Sequence, residues 1–285
     1  MTKLQLGKVD YINCMPVYHA LEEGQLPLDA RLVKGPPAKL NKMFLDGELD
    51  ITPISSIEYA RNANQCYILP NLSISSDGKV GSIFLFSKVP VTELEGKKVA
   101  LTSSSATSVA LLKILFEHYY HVDVDYVTME PNLDNMLEEA DAALLIGDDA
   151  MIAGQRVDVE QLSIIVTDLG TAWKEFTGEK MVFALWVIRK DYAEQNIDKV
   201  AVITETLYRS KLLGVQQLDT LVDIASRKSG LSKEILEEYF QLINHEFNKD
   251  YRRALITFYD YAYKSGLIEE RVRLDVWGED VVSGN

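Results

Sequence analysis

The chain has 285 residues, enough for one large or two ordinary domains, and its 47% hydrophobic and 25% charged residues suit a globular protein with a full core. Its 43 acidic and 29 basic residues leave a net charge of −14, which excludes nucleic acid and anionic membrane surfaces as partners on electrostatic grounds. No apolar run reaches the ~18 residues of a membrane span.

Short apolar runs alternate with helical patterns along most of the chain. Leu4 to Tyr11 reads as a strand, followed after Pro16 by a short helix through Leu21. Ala30 to Val33 is a second strand, and Pro36-Pro37 opens a helix that carries Leu40, Met43 and Phe44 and stops near Gly47. Asp50 to Ile54 predicts a third strand, with a helix from about Ser56, and Val80 to Val89 a longer one. Lys97 to Leu101 begins a second series: helix 106–120, strand 122–127, helix 132–139, strand 142–146, helix 148–153, strand 163–167 and helix 171–176. Met181 to Arg189 is another long apolar strand. Beyond it the pattern is helical, with Ile203, Leu207 and Leu212 on one segment and Leu218, Leu221, Val222 and Ala225 on the next. Ser232 caps a helix over 233–243, and Ala254, Ile256, Phe258 and Tyr261 mark the last. In the tail from Leu267 to Asn285, Val272, Leu274, Val276 and Trp277 predict docking on a surface.

An internal echo organises these elements. Asp46 to Ser55 and Glu138 to Asp148 each run from an acidic helix end through an Asp into an apolar strand with a polar exit. Two similar α/β lobes would produce this, with the long strands near 80–89 and 181–189 as the crossings. The expected division is residues 1–89 plus 190–285 for one lobe and 90–189 for the other, with a ligand cleft where strand ends face each other.

Five strand exits carry polar groups toward such a cleft. In Tyr11-Ile12-Asn13-Cys14-Met15-Pro16, Asn13 offers a donor and an acceptor before a proline-initiated helix, or makes an Asx turn. Ser55-Ser56 opens a helix, and Gly81-Ser82 lets a ligand or another backbone come close. Leu101 to Ser108 runs from a buried strand through Ser103, Ser104 and Ser105 into a helix; its free backbone N–H groups and the positive dipole end suit a small anion as well as a simple cap. At the fifth exit, Ile146-Gly147-Asp148, the aspartate reads as a helix N-cap. Trp173 to Phe176 reads as packing or cleft rim.

Other chemistries find no support. Cys14 and Cys66 make no disulfide framework, Cys-His metal spacing is missing, and His19, His118, His121 and His245 are scattered. Dinucleotide, P-loop and nucleophile-elbow patterns are absent. Neither metal nor cofactor is expected, and Met1-Thr2-Lys3-Leu4 entering a strand without a signal-peptide pattern predicts a cytoplasmic protein.

Taken in order, Asp10 to Pro16, Gly47 to Ile51, Ser103 to Leu111, Glu139 to Asp148 and Asp168-Leu169-Gly170 leading to Trp173-Lys174-Glu175 resemble the MqnA family, chorismate dehydratases of the futalosine route to menaquinone. The resemblance covers the chain up to Tyr192 and implies a two-lobed, type II periplasmic-binding-protein-like α/β fold. It also implies loss of water from chorismate to give 3-[(1-carboxyvinyl)oxy]benzoate. A sister family that makes dihydroxynaphthoate carries a Ser-Pro-Cys-Pro-Asn-Asp-type first exit and a catalytic histidine in its second lobe; Asn13-Cys14-Met15-Pro16 and a hydroxyl run without histidine depart from it.

The chemistry suits these residues. Removing the C3 proton and C4 hydroxyl makes the chorismate ring aromatic, so the protein must chiefly hold a dianion in one pose and donate to the leaving group. Asn13 is the expected catalytic residue, with substrate contacts at Tyr11, Ser56, Ser82, Ser105, Ala106, Thr107, Ser108, Ile146 and Asp148. An amide is no base at neutral pH, so the proton acceptor is either the substrate's own enolpyruvyl carboxylate or a cleft acid such as Asp148. The competing reading is a non-catalytic binding or sensor module for a small carboxylate.

Overall fold

Buried aliphatic strands sort into two separate five-stranded sheets in a computed structural model that describes residues 3–279. The first lobe begins with β1 (Leu4–Lys8), a 3-10 turn over Ile12–Cys14, α1 (Met15–Glu22), β2 (Ala30–Lys34), α2 (Pro37–Leu45), β3 (Ile51–Ser55), α3 (Ser56–Asn62) and β4 (Cys66–Ser76). The second contains β5 (Ile83–Ser87), β6 (Lys98–Thr102), α4 (Ala106–Leu115), β7 (Asp125–Met129), α5 (Leu133–Glu139), β8 (Ala142–Ile146), α6 (Gly147–Val159), β9 (Ile165–Asp168) and α7 (Leu169–Thr177). The chain returns through β10 (Met181–Arg189) and ends in α8 (Lys190–Gln195), α9 (Ile197–Gln216), α10 (Leu218–Ser229), α11 (Lys233–Leu242) and α12 (Lys249–Lys264).

The strand orders are β2-β1-β3-β10-β4 and β7-β6-β8-β5-β9. In each sheet the first three strands are parallel and the fourth runs against its neighbours. The two segments of the internal echo therefore fall on equivalent strands, since β3 and β8 each stand third.

The lobe boundaries differ from the expected ones. The strand over 83–87 lies wholly in the second sheet, paired with β8 and β9, and the strand over 181–189 lies wholly in the first, between β3 and β4. The crossings are thus the short segments 77–82 and 178–180, and each lobe receives its antiparallel strand from a crossing. The first crossing is pinned by Asp168, whose carboxylate accepts the Gly81 N–H at 2.8 Å and the Val80 N–H at 3.1 Å while capping α7 through the Thr171 N–H at 2.9 Å. Gly170 is required beside it, because a Cβ there would lie 2.4 Å from the Gly78 carbonyl oxygen.

Other departures have local causes. β4 was not anticipated because Pro70 and Asn71 interrupt it; it is a bulged edge strand, where proline is tolerated. Its outer edge is covered by Asn244 and by the tail, where the Ile68 N–H donates to the Asp275 carbonyl at 2.8 Å and the Trp277 N–H to the Ile68 carbonyl at 2.9 Å. Docking of the tail therefore holds through Glu279, and residues 280–285 lie outside the described part. Helix 106–120 is α-helical only to Leu115 and continues as a π-helical turn to Tyr120. On α9 Leu212 faces outward and Lys211 takes the inner position, its ammonium bonded to the Asn71 carbonyl at 2.9 Å and to Glu246 at 2.8 Å. Trp173 is fully buried and donates to the Lys180 carbonyl at 3.0 Å, so it is packing.

Candidate active site

The exits of β1, β3, β6 and β8 face one another across a cleft of about 470 Å³, within the range of small-molecule sites. Of the residues singled out from the sequence, Tyr11, Asn13, Ser82, Ser105, Ala106, Ser108 and Ile146 line it. A wider groove of about 1280 Å³ runs under residues 266–279. Most of its cations are paired, among them Lys190 with Asp275 at 2.5 Å and Arg252 with Glu279 at 2.6 Å, and none of its lining side chains has a buried polar atom left without a partner. The interlobe cleft, by contrast, is lined by three residues with such atoms: Asn13 Oδ1, Asn41 Oδ1 and Ser55 Oγ. Unsatisfied buried acceptors and donors of this kind call for a polar ligand.

On the second lobe, the hydroxyl run caps α4. Ser105 Oγ accepts the Ser108 N–H at 3.3 Å and donates to Ser108 Oγ at 3.0 Å. The Ser108 hydroxyl proton is thereby left to point outward, beside the first-turn amides of Ala106 and Thr107, which have no carbonyl within the helix. Ser104 pairs with Thr102 at 2.6 Å, which shapes the turn before the cap.

Ser56 and Thr107 do not reach the cleft with their side chains. Both are fully buried behind it, where Thr107 Oγ1 accepts the Ile57 N–H at 3.1 Å and sits 3.3 Å from Ser56 Oγ, itself donating to the Val182 carbonyl at 2.8 Å. They tie the start of α3 to the start of α4. Ser55, one residue earlier, faces the cleft instead. A strand ending in two serines leaves open which of them turns inward.

Asp148 is not the N-cap of α6; Ile146 holds that position and Asp148 lies in the first turn. Its carboxylate accepts the Ile12 N–H at 3.2 Å across the lobe boundary and lies behind the cleft wall. Burial is the main cause that raises its carboxyl to about 6. Gly147, at φ +61, makes the turn between β8 and α6, where a Cβ would lie 3.8 Å from the Tyr11 ring, and its N–H donates to the Ser82 carbonyl at 2.7 Å.

A profile of the family described as menaquinone biosynthesis matches residues 4–264. The chain belongs to this family. Among relatives in the family's chemistry, a chorismate dehydratase of Thermus thermophilus is 29% identical over 265 residues, covering 89% of this chain and 93% of its own. A 1,4-dihydroxy-6-naphtoate synthase of the same organism is 24% identical, covering 94% and 96%. Among solved structures, protein AF1704 of Archaeoglobus fulgidus superposes with a TM-score of 0.75 at 21% identity, covering 93% of this chain and 98% of that one. The aliphatic sulphonate binding protein SsuA of Escherichia coli gives 0.68 at 17% identity, covering 99% and 94%. The fold is periplasmic-binding-protein-like, as the resemblance implied.

The cleft of this chain holds neutral donors. Burial pushes the Tyr11 phenol up to about 12, against the opposing pull of nearby Ser104, and pushes the Cys14 thiol up to about 12. Both stay protonated at neutral pH, so Tyr11 donates and Cys14 is inert. The lining cation is Lys42, on an exposed part of α2 and paired with Asp46 at 2.5 Å. Among the described residues no helix is long and apolar enough to cross a membrane.

Among the wall residues, Asn41 follows the buried Leu40 on α2 with nothing in its neighbourhood to single it out. Behind the wall, Tyr239 and His245 come from the C-terminal helical part: Tyr239 is buried, and His245 Nε2 lies 2.7 Å from the Asn13 carbonyl oxygen. The periodicity of α11 marks Tyr239 only as core.

Proposed function

We propose that this chain is a cytoplasmic chorismate dehydratase, forming 3-[(1-carboxyvinyl)oxy]benzoate and water on the futalosine route to menaquinone. The observation that carries the reading is one cleft uniting Asn13 with the α4 N-terminus, in a chain similar over most of its length to a chorismate dehydratase. No histidine lines that cleft, which favours the dehydratase over the naphthoate synthase, whose family uses one.

In this reading one substrate carboxylate takes the Ala106 and Thr107 N–H groups and the Ser108 hydroxyl, at the positive end of α4. Thr107 contributes through its main chain, because its hydroxyl is engaged elsewhere. Asn13 and Ser82 address the reacting edge of the ring, where Asn13 donates to the departing C4 hydroxyl. The C3 proton passes to the substrate's enolpyruvyl carboxylate: Asp148 is aimed at the Ile12 N–H behind the wall, which disfavours it as the acceptor. As the C3–H and C4–O bonds break, the new double bond completes the aromatic ring, and the proton taken up by the carboxylate passes to the departing hydroxyl, which leaves as water while the carboxylate is restored. The protein supplies pose and donors, and aromaticity supplies the driving force.

Incubation with chorismate tests this directly. The expected result is a product lighter by one water with benzoate-type absorbance. Chorismate recovered unchanged from a stable complex would overturn the dehydratase and leave a binding module.

A further inference from the structure

Helix α6 turns different sides to the two lobes. Ala150, Ala153 and Val157 pack with Phe86, Ala143 and Leu145 in the second lobe's own core. Asp148, Met151 and Gln155, spaced i, i+3 and i+7, share the other side of the helix. Met151 and Gln155 border a cavity of about 180 Å³ together with Ile235 and Tyr239 of α11, so packing alone does not close this seam. Two hydrogen bonds cross it. Asp148 Oδ1 accepts the Ile12 N–H at 3.2 Å, and Gln155 Oε1 accepts the Ser232 N–H at 3.0 Å. Each donor stands at the start of a first-lobe helical segment, where main-chain N–H groups have no carbonyl within the segment.

The two bonds hold different things. The Gln155 bond ends on the N-cap of α11. The Asp148 bond ends on the residue before Asn13, in the turn that carries Asn13 to the cleft. From within the first lobe, His245 lies 2.7 Å from the Asn13 carbonyl oxygen. Asp148 does not line the cleft, so whatever it does to a ligand it does through this turn.

We infer that Asp148 is a positioning residue for Asn13, through which the second lobe, seated on the first, fixes the Tyr11–Cys14 turn. An ionised acceptor strengthens a bond to a main-chain N–H, and a fixed Ile12 gives the Asn13 amide one starting point from which to aim. Thr107 makes a bond of the same kind on the other flank, to the Ile57 N–H at 3.1 Å. That tether ends on α3 and leaves the turn alone. Two similar ties between the lobes should therefore differ in their effect on turnover. This inference rests on the dehydratase reading of the cleft.

A double-mutant cycle between Asp148→Leu and Asn13→Ala tests it. Asp148→Leu keeps the bulk and loses the acceptor, and is expected to lower kcat by roughly 10- to 100-fold, the cost of a slightly misplaced reacting group. KM should barely move, because the α4 wall is untouched. Asp148→Ala, which cannot overpack the seam, should show the same loss, whereas Asp148→Asn keeps an acceptor and should retain most of the turnover. In the Asn13→Ala background Asp148→Leu should cost nothing further. Full kcat in Asp148→Leu, or losses that multiply in the double variant, would overturn the inference. An equal collapse in Asp148→Asn would overturn it too, by making the carboxylate the proton acceptor.

Amide hydrogen exchange in the ligand-free protein separates this from the functional reading. Asp148→Leu should speed exchange at Ile12, Asn13 and Cys14 together, while Gln155→Ala leaves all three as in wild type. Unchanged exchange at Asn13 and Cys14 would refute the positioning even in a protein that dehydrates chorismate. Faster exchange in a protein that leaves chorismate intact would keep the positioning and sink the dehydratase.

Discussion

The two walls of the cleft are organised in opposite ways. The α4 wall is largely self-contained: Ser105 caps Ser108, Ser104 pairs with Thr102, and the cleft-facing amides belong to the same helical turn. The Tyr11–Cys14 turn holds itself by one short-range bond, Cys14 N–H to the Tyr11 carbonyl at 3.0 Å. Its remaining anchors are distant in sequence: Asp148 on the Ile12 N–H and His245 on the Asn13 carbonyl. A helix start with free amides is something local sequence can build. The turn that carries Asn13 draws its rigidity from two remote elements.

This contrast can be broken or sharpened by substitution. The largest effect is expected for Asn13→Ala. Loss of one aimed donor costs about 3 kcal/mol of transition-state stabilisation, or about a hundredfold in kcat. Near-normal turnover at saturating chorismate would remove Asn13 from the reaction and leave its elaborate anchoring without a purpose.

Thr107→Val keeps the shape of the α4 start but strips its tether to the first lobe. The buried Ile57 N–H then loses its acceptor, at about 1–3 kcal/mol. Thermal unfolding should begin several degrees lower, while kcat stays near wild type. A large fall in kcat with unchanged Tm would mean the hydroxyl meets the substrate after all.

Ser105→Ala removes the cap, worth about 1 kcal/mol. Because it loosens the carboxylate site without touching the reacting edge, KM should rise several-fold and kcat hold. A loss confined to kcat would show that the walls divide their labour differently.

The last variant, Asp148→Asn, is read as stability against pH. Burial raises the folded carboxyl to about 6, above its unfolded value near 4. Ionising it therefore destabilises the folded chain progressively from about pH 4 to about pH 6, and the whole cost is present above that window. Asparagine can still accept the Ile12 N–H, so the variant should melt higher than wild type at pH 8, and the gap should close on titration to pH 4. An equal gap at both ends would mean that charge is not what distinguishes the pair.

The same contrast explains what could be read from the chain. The alternation of strands and helices, the echo that became β3 and β8, and the capped start of α4 are written in neighbouring residues, and they survived folding almost unchanged. The lobe boundary did not: a crossing strand looks alike whichever sheet it joins, and only pairing with β8 and β9 assigns β5 to the second lobe. Within the site, Asn13 and Ser108 were legible because they stand at strand exits. The side chains of Ser56 and Thr107 turn away from the cleft, and burial on the far side of an exit leaves the same sequence trace as exposure on the near side. Tyr239 and His245 carry no signal of their own, since the periodicity of α11 marks Tyr239 only as core and a lone histidine has no spacing.

The swap of β5 and β10 between sheets sets where the molecule bends. Relative rotation of the halves must be absorbed by the straps at 77–82 and 178–180, and Ser82 sits at the end of the first of them, its carbonyl accepting the Gly147 N–H in continuation of the β5–β8 pairing. Ser82 therefore travels with the second sheet and Asn13 with the first, so any rotation about the straps changes the spacing across the cleft.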